Sequence, residues 1–419
     1  MSSKSSRSFT QNFLILFTGN SIGQAIPFLL APFISRIYKP EEIAVQENFL
    51  AMASLIAIVA AGRFDLAILI PTDDKKAKSL FSLSFIITTI VSLLSLITLL
   101  FTNQIAQFYN TPELSQYLVF LAPSIFLLSS LSIYNQWVLR NKKYPLLTSM
   151  RVLQSLVQNS GYVVLGYLGW GISGLFWAWI IGLFLPIAWM TIQERGIFKS
   201  LSNSRKELKD VAYEHRDFPM VNSIHAFTDI LATQFLLYWL ITHNYGALAL
   251  GLFSVMNRYL RAPLNLVGSA VGQLYFREVG AKQGESSEQL KLFYRSIRII
   301  SLVTVPALVL VLFKGPWIFE IYLGENWREA GVLAQIMAPA ILFNFIASVV
   351  STTPLIFHKQ KPAYVIGLTG HILSLGTLFI GSLTTYNFHQ ILMAYSGVLS
   401  LNYIFLIFWY RSLIPKAAI

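Results

Sequence analysis

The chain has 419 residues, 55% hydrophobic and only 12% charged, whereas soluble domains carry roughly 25% charge, so it cannot cover a water-soluble surface. Its aromatic share of 14% excludes a disordered chain, and the absence of cysteine excludes disulfide frameworks, thiolate metal sites and cysteine nucleophiles. The net charge of +12 would suit nucleic acid only as a single patch; it is scattered between apolar runs, so a polytopic membrane protein with no nucleic-acid partner is expected.

A spanning helix needs about 20 mostly apolar residues to cross ~30 Å of hydrocarbon. Twelve such runs follow in chain order: Phe9–Ser35, Glu47–Ile70, Ser79–Thr102, Ser115–Trp137, Pro145–Leu168, Ile172–Ile192, Phe218–Ile241, Leu248–Phe276, Ile299–Phe313, Gly331–Phe357, Ala363–Leu383 and Gln390–Tyr410. The first has no small-residue cleavage site behind it and is too long for a signal segment, so it is expected to stay. The longer polar stretches are Lys199–Asp217 and Arg277–Arg298. With the N-terminus inside, the outer side carries only Arg36, Lys39, Lys314 and Arg328, while Arg63, Arg151, Arg258 and Arg261 lie within spans and every other Lys and Arg is inner. That asymmetry puts both termini in the cytoplasm. Trp137, Trp170, Trp189, Trp239, Trp317, Trp327 and Trp409 lie near span ends and read as an interfacial belt.

The Lys199–Asp217 linker divides the chain into residues 1–198 and 218–419, six spans each. Asn20-Ser21-Ile22 recurs as Asn222-Ser223-Ile224, and Arg140-Asn141-Lys142-Lys143-Tyr144 is echoed by Lys359-Gln360-Lys361-Pro362-Ala363-Tyr364, both at offsets near half the chain. The expected fold is all-α: two six-helix bundles, parallel repeats around a central cavity, with substrate between the halves near the midplane.

An ionisable group in a span costs ~2.5 kcal/mol or more and demands a reason. Arg258 and Arg261, deep in the eighth span and on one face at i,i+3, read as a cationic cavity wall or as a buried structural pair. Arg63 and Arg151 are shallower, and snorkelling to the interface competes with a cavity role for both. Asp65, two residues after Arg63, is expected to point elsewhere on a continuous helix. Asp229, with His225 one turn before it, either pairs a cavity arginine or couples transport to an ion, and Asp65 is a further coupling candidate. Asn20 and Gln24 share a water-lining face of the first span, whose Pro27 and Pro32 should kink its outer half. No phosphate loop, HExxH motif or close carboxylate pair on an outer loop is present, and Asp73-Asp74 reads as a solvated loop.

The run Gly62-Arg63-Phe64-Asp65-Leu66-Ala67-Ile68-Leu69-Ile70-Pro71, and the segment Asn135-Gln136-Trp137-Val138-Leu139-Arg140-Asn141-Lys142-Lys143-Tyr144 with Arg151-Val152-Leu153-Gln154-Ser155-Leu156 behind it, resemble Wzx-type polysaccharide-repeat flippases of the multidrug/oligosaccharidyl-lipid/polysaccharide exporter superfamily. The resemblance implies a bacterial inner-membrane protein, not an enzyme, that moves undecaprenyl-diphosphate-linked repeats of O-antigen or capsule type to the periplasmic leaflet. It further implies membrane lipids, a polysaccharide polymerase and a chain-length regulator as partners, and no cofactor beyond H+ or Na+ coupling or the membrane potential alone. Four intramembrane arginines against Asp65 and Asp229 suit a diphosphate, since guanidinium forks match phosphate oxygens. The alternatives are a cation-coupled multidrug exporter, a lipid II-type flippase, and a membrane glycosyltransferase or polymerase.

Overall fold

The computed structural model describes residues 9–199, 204–282 and 284–415, with the side chains of 9–20, 198, 199, 221 and 266 left out of that description. Among the described residues there is no strand, and helices occupy all twelve positions marked by the apolar runs. In the first half these are α1 (Phe9–Ile37), α2 (Pro40–Ala60), the short α3 (Phe64–Ala67), α4 (Asp74–Leu94), α5 (Leu121–Arg140), α6 (Tyr144–Tyr167) and α7 (Gly171–Gln193). A linker helix, α8 (Arg205–Glu214), precedes α9 (Ser223–Ile230), α10 (residues 236–245), α11 (residues 247–281), α12 (Ser286–Leu323), α13 (Arg328–Val349), α14 (Gln360–Ser382) and α15 (Phe388–Leu413).

Nine stretches of the described residues are long and apolar enough to cross a bilayer. Phe218–Asn265 is one stretch despite the break at Gly246 (φ 85°), and α6 is diluted by Arg151, Gln154, Gln158 and Asn159.

Three sequence expectations are corrected. The second span does not run on to Ile70: α2 ends at Ala60, because Gly62 (φ 59°) and Arg63 (φ 55°) are consecutive left-handed residues that no helix accommodates. The ninth helix continues beyond Phe313 to Leu323, and most of Arg277–Arg298 is helix rather than loop, since polar residues end the hydrocarbon span without ending the helix. Trp137 (6% exposed) and Trp327 (0%) are packed inside the protein, whereas Trp170 and Trp317 are exposed as a belt requires. The first helix runs unbroken through Pro27 and Pro32, and the Arg36 side chain donates to the Pro32 carbonyl (2.7 Å).

The residues group into two compact units, Met1–Trp239 and Leu240–Ile419. In the first, α1 lies along α6, the Ser155 hydroxyl donating to the Gly23 carbonyl (2.7 Å), and α6 along α7. Its core includes Phe49 edge-on to Phe176 and Trp179, with Tyr117 stacked on Phe176 at 4.1 Å. The α9 helix packs on α2 within this unit. The Trp239 ring stacks on Phe108 (4.8 Å) and its indole N–H donates to the Phe108 carbonyl (2.7 Å). The α8 helix docks on the start of α4 through Lys75–Glu207 (2.6 Å) and Lys76–Glu214 (2.8 Å). The Lys76 ammonium bonded to Glu214 holds that carboxyl below its ordinary range.

In the second unit, Tyr275, Val279, Phe293, Val350, Leu406, Tyr410 and Ile414 form a core cluster, and Tyr275 and Thr353 share a hydroxyl bond of 2.7 Å. The α12 and α13 helices cross at two glycines. A Cβ on Gly315 would sit 2.7 Å from the Gly331 carbonyl oxygen, and one on Gly331 would collide with that of Gly315.

Candidate functional site

The polar interior of the first unit is built where α2 ends. Left-handed backbone at a non-glycine residue costs on the order of 1–3 kcal/mol and persists only where its surroundings enforce it. At Arg63 the turn bonds from Gly62 N–H to the Val59 carbonyl (2.8 Å) and from Phe64 N–H to the Ala61 carbonyl (3.1 Å) hold the reversal. Its effect corrects the sequence reading of Asp65. Because the chain leaves the helix before Arg63, both residues line one cavity of about 220 Å³, with Ser54, Ile58, Leu128, Ser129, Ser132 and Ile230 among its walls.

Within that cavity Asp65 is 2% exposed. Ser132 donates to its Oδ2 at 2.6 Å, while Oδ1 is buried without a hydrogen-bond partner among the described residues. The Arg63 Nε is buried and unpartnered in the same sense. A buried carboxylate oxygen and a buried guanidinium donor are therefore both left open, an expensive condition in a low-dielectric interior.

Two of the segments quoted for the family resemblance, residues 62–71 and 135–144, meet beside this cavity. Arg140 donates to the Ile68 carbonyl (3.1 Å), to the Pro71 carbonyl and to Asp74 (3.1 Å), clamping the loop after α3. Trp137 donates to Glu194 (3.2 Å), which also pairs with Lys143. Asp73 caps α4, accepting from the Lys75 N–H (2.9 Å). These residues shape the site's frame rather than its lining.

Arg151 is half-buried on α6 where α1 crosses, with no carboxylate paired to it among the described residues, and Gln24 is half-buried on α1. The Asn20 side chain lies outside the described residues. His225 and Asp229 share one face of α9 and are exposed. Two π-helical turns, Phe218–Asn222 and Leu231–Phe235, flank α9, and such turns often mark functional sites.

In the second unit Arg258 and Arg261 sit one turn apart on α11, Arg258 exposed and Arg261 half-buried. Arg261 Nε donates to Asn257 Oδ1 (2.5 Å) and Nη1 to Asn344 Oδ1 on α13 (2.8 Å). Both partners are neutral, and among the described residues no carboxylate pairs with Arg261. Its charge is held in place but not cancelled, and a guanidinium with five N–H donors keeps donors for an anionic oxygen.

Asn257, Asn344 and Ser132 join the site without having been singled out in the sequence. Asn257 lies four residues before Arg261 on the same face and was findable; Asn344 and Ser132 come from other helices. Glu47, placed in the sequence reading at the start of a span, is 6% exposed and inside α2.

The model of a family described as polysaccharide biosynthesis protein matches residues 33–332. No curated protein sequence matches the chain. Among solved structures it is similar to a multidrug resistance MATE family transporter of the MOP superfamily in an inward-facing conformation, with TM-score 0.76 at 16% identity over 96% of this chain and 100% of that one. It is similar to the lipid II flippase MurJ in an inward closed conformation, with TM-score 0.75 at 13% identity over 96% and 87% of the two chains. An outward-facing MATE family transporter matches with TM-score 0.63 at 13% identity over 97% of each. The fold is therefore that of the MATE and MurJ transporters.

Proposed function

Because the chain belongs to the polysaccharide biosynthesis protein family, we propose that this multi-pass membrane protein is a flippase for undecaprenyl-diphosphate-linked oligosaccharide repeats, moving them from the cytoplasmic to the periplasmic leaflet of a bacterial inner membrane. Arg261 carries the reading. It is oriented by the neutral amides of Asn257 and Asn344, so its full charge stays available to a diphosphate. An exporter of organic cations gains nothing from such a group. Arg258, on the same helical face, adds a second cation.

The role is transport rather than catalysis. A diphosphate diester carries about two negative charges, and moving each through the membrane field is worth ~2.3 kcal/mol per 100 mV. With the cytoplasm negative, the potential favours outward movement of any charge the arginines do not cancel. Where they do cancel it, ion coupling at Asp229 with His225 supplies the drive.

The test is complementation of a strain that lacks its own repeat-unit flippase, with expression of each variant matched. Arg261→Lys should keep part of the activity, Arg261→Gln little and Arg261→Glu none, because a desolvated diphosphate needs charge-assisted hydrogen bonds worth ~1.5–3 kcal/mol each. Full complementation by Arg261→Gln would reject the reading.

A further inference from the structure

The cavity at the end of α2 presents two unmet demands at once. Asp65 Oδ1 lacks a donor and Arg63 Nε lacks an acceptor among the described residues, and both atoms are buried. A metal or sodium ion would satisfy the carboxylate but face the guanidinium, and an anion would do the reverse. A neutral hydroxyl does neither harm, because it donates and accepts together. Size points the same way. Water occupies ~30 Å³ in the liquid, so a cavity of about 220 Å³ has room for roughly seven waters, well beyond one dehydrated ion or a proton. The remaining walls include hydroxyls, Ser54, Ser129 and Ser132, and aliphatic surface, chiefly Ile58, Leu128 and Ile230. A ring with adjacent hydroxyls on its edge and C–H groups on its face meets each of them.

We propose that this cavity is a sugar-binding subsite, in which one hydroxyl of a hexose-sized ring donates to Asp65 Oδ1 and accepts from Arg63 Nε while the ring face lies on Ile58, Leu128 and Ile230. The proposal rests on the glycan-carrying function above, and it gives the two units different tasks. Arg261 reads the diphosphate that every such cargo shares; the Asp65 subsite reads the sugar that distinguishes one cargo from another. Ser132 sets the specificity by fixing Oδ2, so that only Oδ1 is offered.

The native chain has no cysteine, so a single cysteine introduced by Ser54→Cys at the cavity wall reports occupancy by its rate of maleimide labelling. The probes are the methyl glycosides of glucose, galactose, N-acetylglucosamine and rhamnose, added to the purified full chain without any lipid carrier. At about ten times its dissociation constant, a binding sugar should slow labelling roughly tenfold, following the factor 1 + [L]/Kd. Adding Asp65→Asn, which keeps the shape of the side chain, should abolish the protection while the labelling rate without sugar stays the same. Labelling that no glycoside slows overturns the proposal. So does protection by sodium against choline in the absence of sugar, which would make the cavity an ion site. Both outcomes are read on the Asp65-containing protein, so they hold even if Asp65→Asn fails to fold. Because no transport is measured, this test fails separately from complementation at Arg261.

Discussion

Asn344 governs how Arg261 presents its charge, and substituting it separates orientation from electrostatics. Asn344→Leu removes a hydrogen bond to a charged group, ~1.5–3 kcal/mol, and should lower transport by roughly ten- to a hundredfold while the positive charge remains. Asn344→Asp keeps the size and the acceptor but adds a negative partner; it should fall below Asn344→Leu, because an ion pair cancels the charge a diphosphate would meet. Complementation with matched expression orders the two, and an Asn344→Asp protein as active as the parent would remove the electrostatic argument. The same residues mark how far the sequence can be read. The i,i+3 spacing of Arg258 and Arg261 was enough to put them on one face, since helical geometry is local. Asn344 arrives from another helix 83 positions away, and no periodicity announces it. The shared cavity of Arg63 and Asp65 is illegible for a different reason. Their separation by two positions means opposite faces only if the helix continues, and left-handed backbone at an arginine leaves no trace in composition beyond the glycine before it.

At the scale of helices, the α12–α13 crossing is set by two backbones in near contact. Gly331→Ala forces a Cβ against the Gly315 carbonyl and should cost about 1–3 kcal/mol as overpacking. Its thermal midpoint in detergent should drop, whereas Gly397→Ala, which meets nothing within 4 Å, should leave the midpoint in place. The linker helix α8 responds to pH through Glu214. Its carboxyl is held below the ordinary value of about 4.3, so the Lys76–Glu214 contact is fully present above that value and is lost as the pH falls through the lower, folded one. A spin label on a cysteine introduced at Asp210 should therefore stay immobile from neutral pH down to about 4.3 and gain mobility only below it; in Lys76→Ala it should be more mobile at neutral pH already. Hydropathy made the existence of these helices legible because the bilayer demands long apolar runs. It could not mark their ends, since Arg277–Ala281 and Ser286–Arg298 stay helical after the apolar run has stopped.

For the molecule as a whole, the concentration of Lys and Arg on one side of the spans predicts that both termini and the linker face the cytoplasm. A cysteine introduced at Lys206 into the cysteine-free chain should resist a membrane-impermeant maleimide in intact cells and react once the membrane is opened; labelling from outside would invert the orientation and the parallel-repeat scheme with it. The packing of α9 on α2 and of Trp239 on Phe108 has a bearing on biosynthesis as well. The first compact unit is completed by residues on the far side of the linker, so the ribosome finishes α7 before the unit can close. At ~5–20 residues per second, the stretch from residue 199 to residue 239 takes about 2–8 s to emerge. Through that interval the α9-binding face of α2 and the face of the Phe108 ring that Trp239 covers stay open, and the nascent protein depends on lipid or on the insertion machinery to shield them until its seventh predicted span arrives.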